Sequence, residues 1–417
     1  MKKMKKIIKL AMLALCVCLA AALASCDFFD TDEPPEDEAH VHTVIHWEIA
    51  EEAGCEKDGR RFGTCIDCLN EVREDIPAYG HRYLVEACAR CGGMLSNSEF
   101  EFELIPDGSG YVFSGIGSFD GTHLVIPETY NGLPVVMIDQ MALGSQNHIE
   151  SVVIPSSVKD IGFGAFSYCR SLKSVNLPEG LKNIASETFK ECTSLESIVI
   201  PDSVEIIGSY AFWGCSSLRE IEIPGKCNSI HTYAFEDCEN LSRVILNEGV
   251  AVIWDSAFAG TAVENIDFPS TTSIIGKNAF RGTHLKSLRL TGNIMVNEYA
   301  FADCESLETL VYGITNHYNE GYIFYSCDSL REVTFGEWVY SVPQYMLSDC
   351  KSLETVMIPS RLTTLGKYCF NGCESLLRIE YGGSVAMWNG ITENVGWNLA
   401  TGSYTVYCND GEINKLR

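Results

Sequence analysis

Positive charge is scarce in this sequence. Its 417 residues include 30 Lys and Arg against 56 Asp and Glu, which gives a formal net charge of −26 at pH 7. A negative potential of this size repels nucleic-acid phosphates and anionic lipid headgroups. We therefore expect no nucleic-acid partner, and no membrane contact through the charge of the whole protein. Cationic and neutral partners remain open.

Recognisable catalytic motifs are also missing. The sequence has no phosphate-binding glycine loop, no HExxH motif and no nucleophile in evident pairing with a base. Five histidines are scattered at positions that suggest solvated turns, namely His123, His148, His231, His284 and His317. We therefore expect that the protein is not an enzyme.

Charged residues make up only 21% of the chain, whereas hydrophobic residues make up 46% and aromatic residues 10%. This composition excludes wholesale disorder. A chain of 417 residues exceeds what one hydrophobic core usually serves. The sequence therefore predicts either several domains or an array of repeats.

The N-terminus has the features of an export signal. Residues 1–9 carry five lysines, residues 10–24 are almost wholly apolar or small, and the run ends in Leu23-Ala24-Ser25-Cys26. This segment resembles a bacterial lipoprotein signal peptide with its lipobox. The resemblance implies that residues 1–25 are removed and that Cys26 carries the lipid. An uncleaved signal anchor or an ordinary secretory peptide is the alternative, although the apolar run is short for a membrane span.

An acidic segment follows over residues 26–39. Seven of the twelve residues from Asp27 to Glu38 are acidic, and Pro34-Pro35 lies among them. Charge repulsion and proline stiffness favour an extended chain. The segment is predicted to be a flexible tether without a partner of its own.

Residues 40–95 form a small region rich in cysteine and histidine. Cys65-x2-Cys68 and Cys88-x2-Cys91 are separated by nineteen residues, a spacing typical of a zinc ribbon. So short a segment needs a metal or disulfides to fold. We predict a structural zinc held by these four thiolates, with no open position for a substrate. Disulfides, or neither, are the alternatives in an exported protein.

The rest of the chain repeats with a period of 22 or 23 residues, which is the signature of leucine-rich repeats. Successive units begin at Ile149, Leu172, Leu195, Leu218, Leu241, Val263, Leu285, Leu307, Leu330, Leu353 and Leu376. In one unit, Ile198 and Ile200 alternate as on a strand with one buried face, Pro201 ends the pairing, and Phe212 follows on a return turn. Each unit is therefore predicted to supply one short strand.

An aromatic residue recurs once per unit, at Phe166, Phe189, Phe212, Phe235, Phe258, Phe280, Phe301, Phe324 and Phe370, with Leu347 in one unit. Three residues later stand Cys169, Cys192, Cys215, Cys238, Thr261, Thr283, Cys304, Cys327, Cys350 and Cys373. Threonine cannot form a disulfide, so its use in two of the ten units indicates a small side chain that makes a weak hydrogen bond to a turn. These cysteines are predicted to be buried, reduced and structural.

The Ile-Pro, Ile-Gly and Ala-Phe-x-x-Cys elements resemble the BspA-type leucine-rich repeats of bacterial surface lipoproteins, over about residues 124–408. The resemblance implies a leucine-rich-repeat solenoid, mostly β, with turns or short helical returns, preceded by the Cys/His-rich module. We expect an N-terminal β cap and first repeat at 96–147, repeats at 148–380 and a C-terminal cap at 381–417. The Ile-Pro element is missing at 313–321 and 337–344, where looser turns are expected.

The concave sheet of such a solenoid is the candidate ligand-binding face, because stacked strands present their outward residues in rows. By alternation, the row is Asn176, Val199, Glu222, Ile245, Asp267, Arg289, Val311, Thr334 and Met357. The apolar members suggest an interface, or they reflect only the strand preference of β-branched residues.

The resemblance implies adhesion through recognition of an extracellular protein or glycan. The expected location is the bacterial cell envelope, with the protein surface-exposed and held to the membrane only by its lipid. The alternative function is structural, a scaffold that assembles with its own kind or with another exported component.

Overall fold

The computed structural model describes residues 44–51, 59–65, 71–76, 83–84, 87–88, 100–314 and 321–415, and side chains from residue 100 onward. Within these ranges, no helix has the length and apolar character needed to cross a membrane. The regular structure of the described residues is almost entirely β, as predicted, and the one α-helix among them, α1, spans Val385–Trp388.

The strands before the repeats are β1 (Val44–Glu51), β2 (Gly59–Cys65), β3 (Glu71–Ile76), β4 (Tyr83–Leu84), β5 (Ala87–Cys88), β6 (Glu101–Leu104), β7 (Tyr111–Gly115), β8 (His123–Val125), β9 (Thr129–Tyr130) and β10 (Leu133–Ile138). The strands of the repeats and of the C-terminal end are β11 (Ser151–Val153), β12 (Asp160–Ile161), β13 (Ser174–Val175), β14 (Asn183–Ile184), β15 (Ile206–Ile207), β16 (Glu220–Ile223), β17 (Ser229–Ile230), β18 (Arg243–Leu246), β19 (Val252–Ile253), β20 (Ile274–Ile275), β21 (Ser287–Gly292), β22 (Met295–Val296), β23 (Thr309–Ile314), β24 (Glu332–Phe335), β25 (Ser341–Val342), β26 (Thr355–Ile358), β27 (Thr364–Leu365), β28 (Arg378–Tyr381), β29 (Thr392–Glu393), β30 (Tyr404–Cys408) and β31 (Gly411–Lys415).

The chain divides into two compact units. In the first, β1, β2 and β3 form a three-stranded sheet in which β1 and β2 are antiparallel. The second contains β4 to β31.

The repeats of the second unit build two lines of parallel strands. The front sheet consists of the segments β8-β11-β13, β16-β18 and β21-β23-β24-β26-β28-β30, and the antiparallel β31 ends it. The back sheet consists of β7-β10-β12, β14-β15-β17-β19-β20-β22 and β25-β27-β29, and the antiparallel β6 begins it. Most repeats thus give a front strand of two to six residues and a back strand of two residues, the latter at the position of the Ile-Gly element.

The core lies between these lines and is built from the recurring residues. Every unit-starting residue from Ile149 to Leu376 is buried. The phenylalanines from Phe166 to Phe324 form a continuous internal stack with ring centroids 5.0–5.5 Å apart. The burial predicted for the aromatic residue of each unit is confirmed.

The cysteine slot is also buried, as predicted, and its hydrogen bond crosses to the preceding turn. The Sγ of Cys238 donates to the Phe212 carbonyl oxygen at 3.1 Å. Other cysteines of the series likewise donate to the phenylalanine carbonyl of the preceding turn. Thr261 instead donates to the Phe258 carbonyl of its own turn at 2.8 Å. Burial raises the pKa of the Cys169 thiol to about 11. These thiols are therefore structural hydrogen-bond donors.

Two left-handed residues flank the aromatic position of each turn. Tyr210 and Gly214 have φ values of 58° and 69°, and the residues two before and two after the aromatic position repeat this pattern along the solenoid. The backbone N–H groups of these left-handed residues and of the aromatic residue between them donate to the next turn. The described return segments are therefore tight turns, and the one short helix among the described residues, α1, connects β28 to β29.

Aromatic side chains close the C-terminal end. Trp388 lies 5.3 Å from Tyr381 and 6.4 Å from Trp397 between ring centroids, and Trp397 lies 6.2 Å from Tyr404. All four are buried. The hairpin of β30 and β31 then ends the front sheet.

Candidate ligand-binding face

Side chains of the front sheet alternate between the core and solvent. In β16, Glu220 and Glu222 are exposed while Ile221 and Ile223 are buried. Of the nine residues predicted for the outward row, Asn176, Val199, Glu222, Asp267, Arg289 and Met357 are exposed, and Ile245, Val311 and Thr334 are partly buried. The structure thus places all nine on the outward side of the front-sheet line.

Strand register aligns these residues across neighbouring repeats. Glu222 pairs with Ile245, and Arg289, Val311, Thr334 and Met357 form one unbroken row. The row continues through two residues that sequence reasoning missed, Glu380 and Tyr407. Glu380 follows Met357 at the 23-residue spacing and could have been found. Tyr407 lies within the C-terminal cap, where the spacing changes.

Asn176 has a structural role at this face. Its side-chain Oδ1 accepts a hydrogen bond from the Ile154 N–H, and its Nδ2 donates to the Ile154 carbonyl oxygen, both at 2.8 Å. The side-chain amide therefore pairs with the backbone of the preceding front strand. It is not free to bind a ligand without breaking this pair.

The front sheet is interrupted on both sides of the β16-β18 pair. Residues 197–200 form no strand, and Asn265 makes only an isolated bridge to Arg243. The backbone N–H groups of Ile198 and Ile200 have no hydrogen-bond acceptor within the described residues. Peptide groups seldom remain unpaired unless water or a ligand reaches them. The interruptions therefore leave these peptide groups without a partner among the described residues, in the middle of the face.

A depression lies at each interruption. One, of about 390 Å³, is lined by residues that include Ser197, Val199, Asp202, Glu222, Arg243 and Ile245. The other, of about 570 Å³, is lined by residues that include Arg243, Ile245, Glu264, Asn265 and Asp267. Arg243 and Ile245 therefore border both. Val199 is 83% exposed, a high value for a valine in the middle of a sheet.

Carboxylates dominate the charge around these depressions. The linings include Asp202, Glu220, Glu222, Glu264 and Asp267, with Arg243 as the cationic member. Arg243 Nη1 lies 3.1 Å from Glu220 Oε2. The hydrogen bond from Lys286 lowers the pKa of Glu264. An acidic rim around Val199 and Ile245 suits aliphatic and cationic groups of a ligand.

One serine–histidine contact lies on the front sheet. His123 Nδ1 and Ser151 Oγ are 2.7 Å apart, and His123 is exposed. Within the described residues, the other ring nitrogen has no hydrogen-bond partner. A triad needs an orienting group for its base and an oxyanion site. This contact supplies neither.

Stacked tyrosines mark the outer surface of the turns. Tyr299, Tyr322, Tyr345 and Tyr368 have ring centroids 4.8, 4.3 and 5.1 Å apart in succession. Because the rings cover one another, their faces are not free to stack on a sugar. The stack therefore packs turn against turn.

The N-terminal candidate sites lie outside the described side chains. Cys65 ends β2 and Cys88 ends β5, but only their backbone is described. Cys26, Cys68 and Cys91 lie outside the described residues altogether. The lipid attachment and the structural zinc therefore stay predictions. Among the side chains that are described, no group of three or more His, Cys, Asp or Glu could hold a metal ion.

The two strand lines, the internal aromatic stack and the repeated turn define a leucine-rich-repeat solenoid with an extended outward face. Comparison with known families agrees. The BspA type leucine rich repeat region matches in 6 copies, over residues 137–262 and 251–377. This is more than half of the chain, and the chain belongs to that family. A comparison with curated proteins found no match.

Solved structures with similar folds come from several bacteria. A leucine rich cell surface protein from Faecalibacterium prausnitzii A2-165 is 24% identical, with a TM-score of 0.45, and the match covers 72% of this chain and 97% of that one. A leucine-rich repeat protein from Bacteroides ovatus is 22% identical, with a TM-score of 0.43 and coverage of 75% and 99%. The T. pallidum leucine rich repeat protein is 29% identical, with a TM-score of 0.41 and coverage of 51% and 90%.

Proposed function

We propose that the protein is a lipid-anchored binding protein of the bacterial cell surface, whose front sheet recognises an extracellular protein or glycan in adhesion. The observation that carries the proposal is the pair of depressions at the interrupted front sheet. They bring an exposed valine, peptide groups without a partner among the described residues and an acidic rim together on one face. Binding sites commonly combine apolar surface with a few placed polar groups.

The proposed site is centred on Ile245, which borders both depressions. Val311, Thr334 and Met357 extend the face along the unbroken row. An apolar row with polar neighbours is the composition expected at the centre of an interface. Arg289 stands in that unbroken row, and Glu222 pairs with Ile245, so both supply charged contacts around the site.

The proposed location rests on the lipobox-like run that ends at Cys26 and on the family. The F. prausnitzii protein is described as a cell surface protein. A lipid on Cys26 and the acidic segment after it would hold the repeats away from the membrane. Protease shaving of whole cells tests this location, since release of the repeats is expected, and full protection would contradict surface exposure.

The binding test is a screen of the purified chain from residue 26 against extracellular matrix proteins, bacterial surface proteins and glycans. The double variant Ile245→Asp, Val311→Asp is expected to lower the affinity for the ligand at least about tenfold, which corresponds to about 1.4 kcal/mol of binding free energy. Val199→Asp is a second variant at an exposed position that poses little risk to folding. Leu377→Asp, at a residue that is 61% exposed outside the outward row, is the matched control. Equal binding by all variants would rule out this face.

A further inference from the structure

The turns of the solenoid are joined by a repeating set of backbone hydrogen bonds. At one junction, Tyr210 N–H donates to the Thr232 carbonyl at 3.1 Å, Phe212 to Ala234 at 2.8 Å, and Gly214 to the next turn at 3.0 Å. At the other junctions, the aromatic position and the left-handed residues on either side of it are again the donors, with Tyr299 and Tyr368 as the exceptions. The N–H groups of each turn therefore face its C-terminal neighbour, and the carbonyl groups face its N-terminal neighbour.

The last turn, residues 394–401, keeps this geometry, and no further turn of this kind follows it within the described residues. Its place is set by Phe370 N–H, which donates to the Trp397 carbonyl at 2.8 Å. Gly396 and Ala400 are left-handed, with φ of 66° and 55°, and they flank Asn398 at the position that phenylalanine occupies elsewhere. Within the described residues, the backbone N–H groups of Gly396, Asn398 and Ala400 have no acceptor. Hydrogen-bond donors at the usual spacing are thus left open.

The first turn of full length, residues 139–146, shows the opposite vacancy, although the shorter connection 116–122 between β7 and β8 precedes it. Met141, Leu143 and Ser145 donate to the second turn in the usual way. The carbonyl groups that would accept hydrogen bonds from a preceding turn belong to Gln140, Ala142 and Gly144. In the part of the chain that the structure describes, none of these carbonyls accepts a hydrogen bond.

Exposed apolar side chains accompany the open backbone at both ends. Val395 is 73% and Leu399 57% exposed beside the last turn. Met141 is 47% and Phe163 46% exposed beside the first. Interior turns carry mostly polar residues at the positions of Val395 and Leu399, for example Asp255, Lys277, Glu236 and Arg281. Apolar surface therefore lies where each end would meet another turn.

We propose that the C-terminal turn, residues 394–401, docks onto the first turn, residues 139–146, of a second copy of this chain. The open N–H groups of one end and the open carbonyls of the other carry opposite partial charges at the same spacing, and the contact continues the junction already present inside the solenoid. Such a head-to-tail contact uses different surfaces on the two copies. It is separate from the ligand-binding face and does not depend on the proposed function.

The β30-β31 hairpin does not cover this surface. β31 pairs with β30 and extends the front sheet, while β29 is the last strand of the back sheet. The turn that connects the two sheets after β29 consequently keeps its outer edge open. Open edges of this kind favour association with another chain.

The test uses the full chain in one detergent throughout, with two double variants. Val395→Asp with Leu399→Asp changes the C-terminal end, and Met141→Asp with Phe163→Asp changes the N-terminal end. Sedimentation over about a hundredfold range of concentration follows assembly by mass action. Val199→Asp, exposed but away from both ends, is the control for an added negative charge elsewhere on the surface. Circular dichroism checks that each variant is folded.

The wild type and the control are expected to assemble with rising concentration, and each double variant alone is expected not to. An equimolar mixture of the two variants should form a one-to-one complex that grows no further, because each retains one intact end. This rescue also shows that both variants are folded. A wild type that never assembles, a variant that assembles like wild type, or a mixture without complex would each overturn the proposal.

Discussion

Phe235 is the residue at which the internal aromatic stack can be tested most directly. Its side chain is fully buried, and its ring lies 5.0 Å from both Phe212 and Phe258, with interplanar angles of 4°. Truncating a buried phenylalanine to alanine costs about 3–5 kcal/mol, and each aromatic pair adds roughly 0.5–1.5 kcal/mol beyond the buried area. Phe235→Ala is therefore expected to cost about 5 kcal/mol.

Phe370 provides the comparison because its stack is incomplete. Leu347 takes the place of an aromatic ring on one side, and Trp397 meets Phe370 edge-on at 6.1 Å on the other. The same Phe370→Ala change is expected to cost about 1 kcal/mol less, since fewer ring contacts are lost.

Urea unfolding followed by circular dichroism measures both free energies. Hydrogen exchange is needed beside it, because repeat arrays can unfold in parts and not as one unit. A cost below about 2 kcal/mol for Phe235→Ala, or a larger cost at Phe370, would refute the view that the stack stabilises neighbouring turns.

Two further predictions concern the cysteine slot. Cys238→Thr is expected to cost less than about 1.5 kcal/mol, because Thr261 fills the same slot one turn along and donates to its own turn, whereas Cys238→Val, which lacks a donor, should cost about 1 kcal/mol more in urea unfolding; equal costs would contradict a hydrogen-bonding role. Burial raises the pKa of Cys169 from 9.0 to about 11, so the folded chain holds this proton more tightly than the unfolded chain does. Its contribution is fully present below pH 9 and is lost as the pH rises towards 11, by at most about 3 kcal/mol. The midpoint temperature of thermal unfolding should therefore fall less steeply from pH 8 to 11 in Cys169→Thr than in the wild type. Parallel curves would contradict this contribution of the Cys169 thiol.

The repeats could be predicted because their signals are periodic and chemically strict. Leucine at the unit start and phenylalanine on the return turn are fixed by a narrow core, and the structure buries both. The left-handed residues could not be predicted from composition. Tyrosine, glutamate, aspartate and serine occupy these positions as well as glycine, and a non-glycine residue gives little signal for positive φ.

The candidate ligand-binding face could also be predicted only in part. Alternation around Ile198 and Ile200 placed Val199 on the outer side, and it is exposed. The loss of strand pairing at 197–200 could not be anticipated, because the Ile-x-Ile-Pro pattern resembles that of the paired strand ending at Ile223. Pairing depends on how far neighbouring turns separate, which is set by packing beyond a single repeat.

The left-handed pairs have a consequence for the order in which the chain acquires its structure. A non-glycine residue in this conformation costs roughly 1–2 kcal/mol, and residues such as Tyr210 and Tyr233 incur that cost in turn after turn. An isolated turn is therefore unfavourable until a finished neighbour supplies hydrogen-bond partners. Each completed turn acts as a template for the next, so structure should spread along the chain from an existing seed.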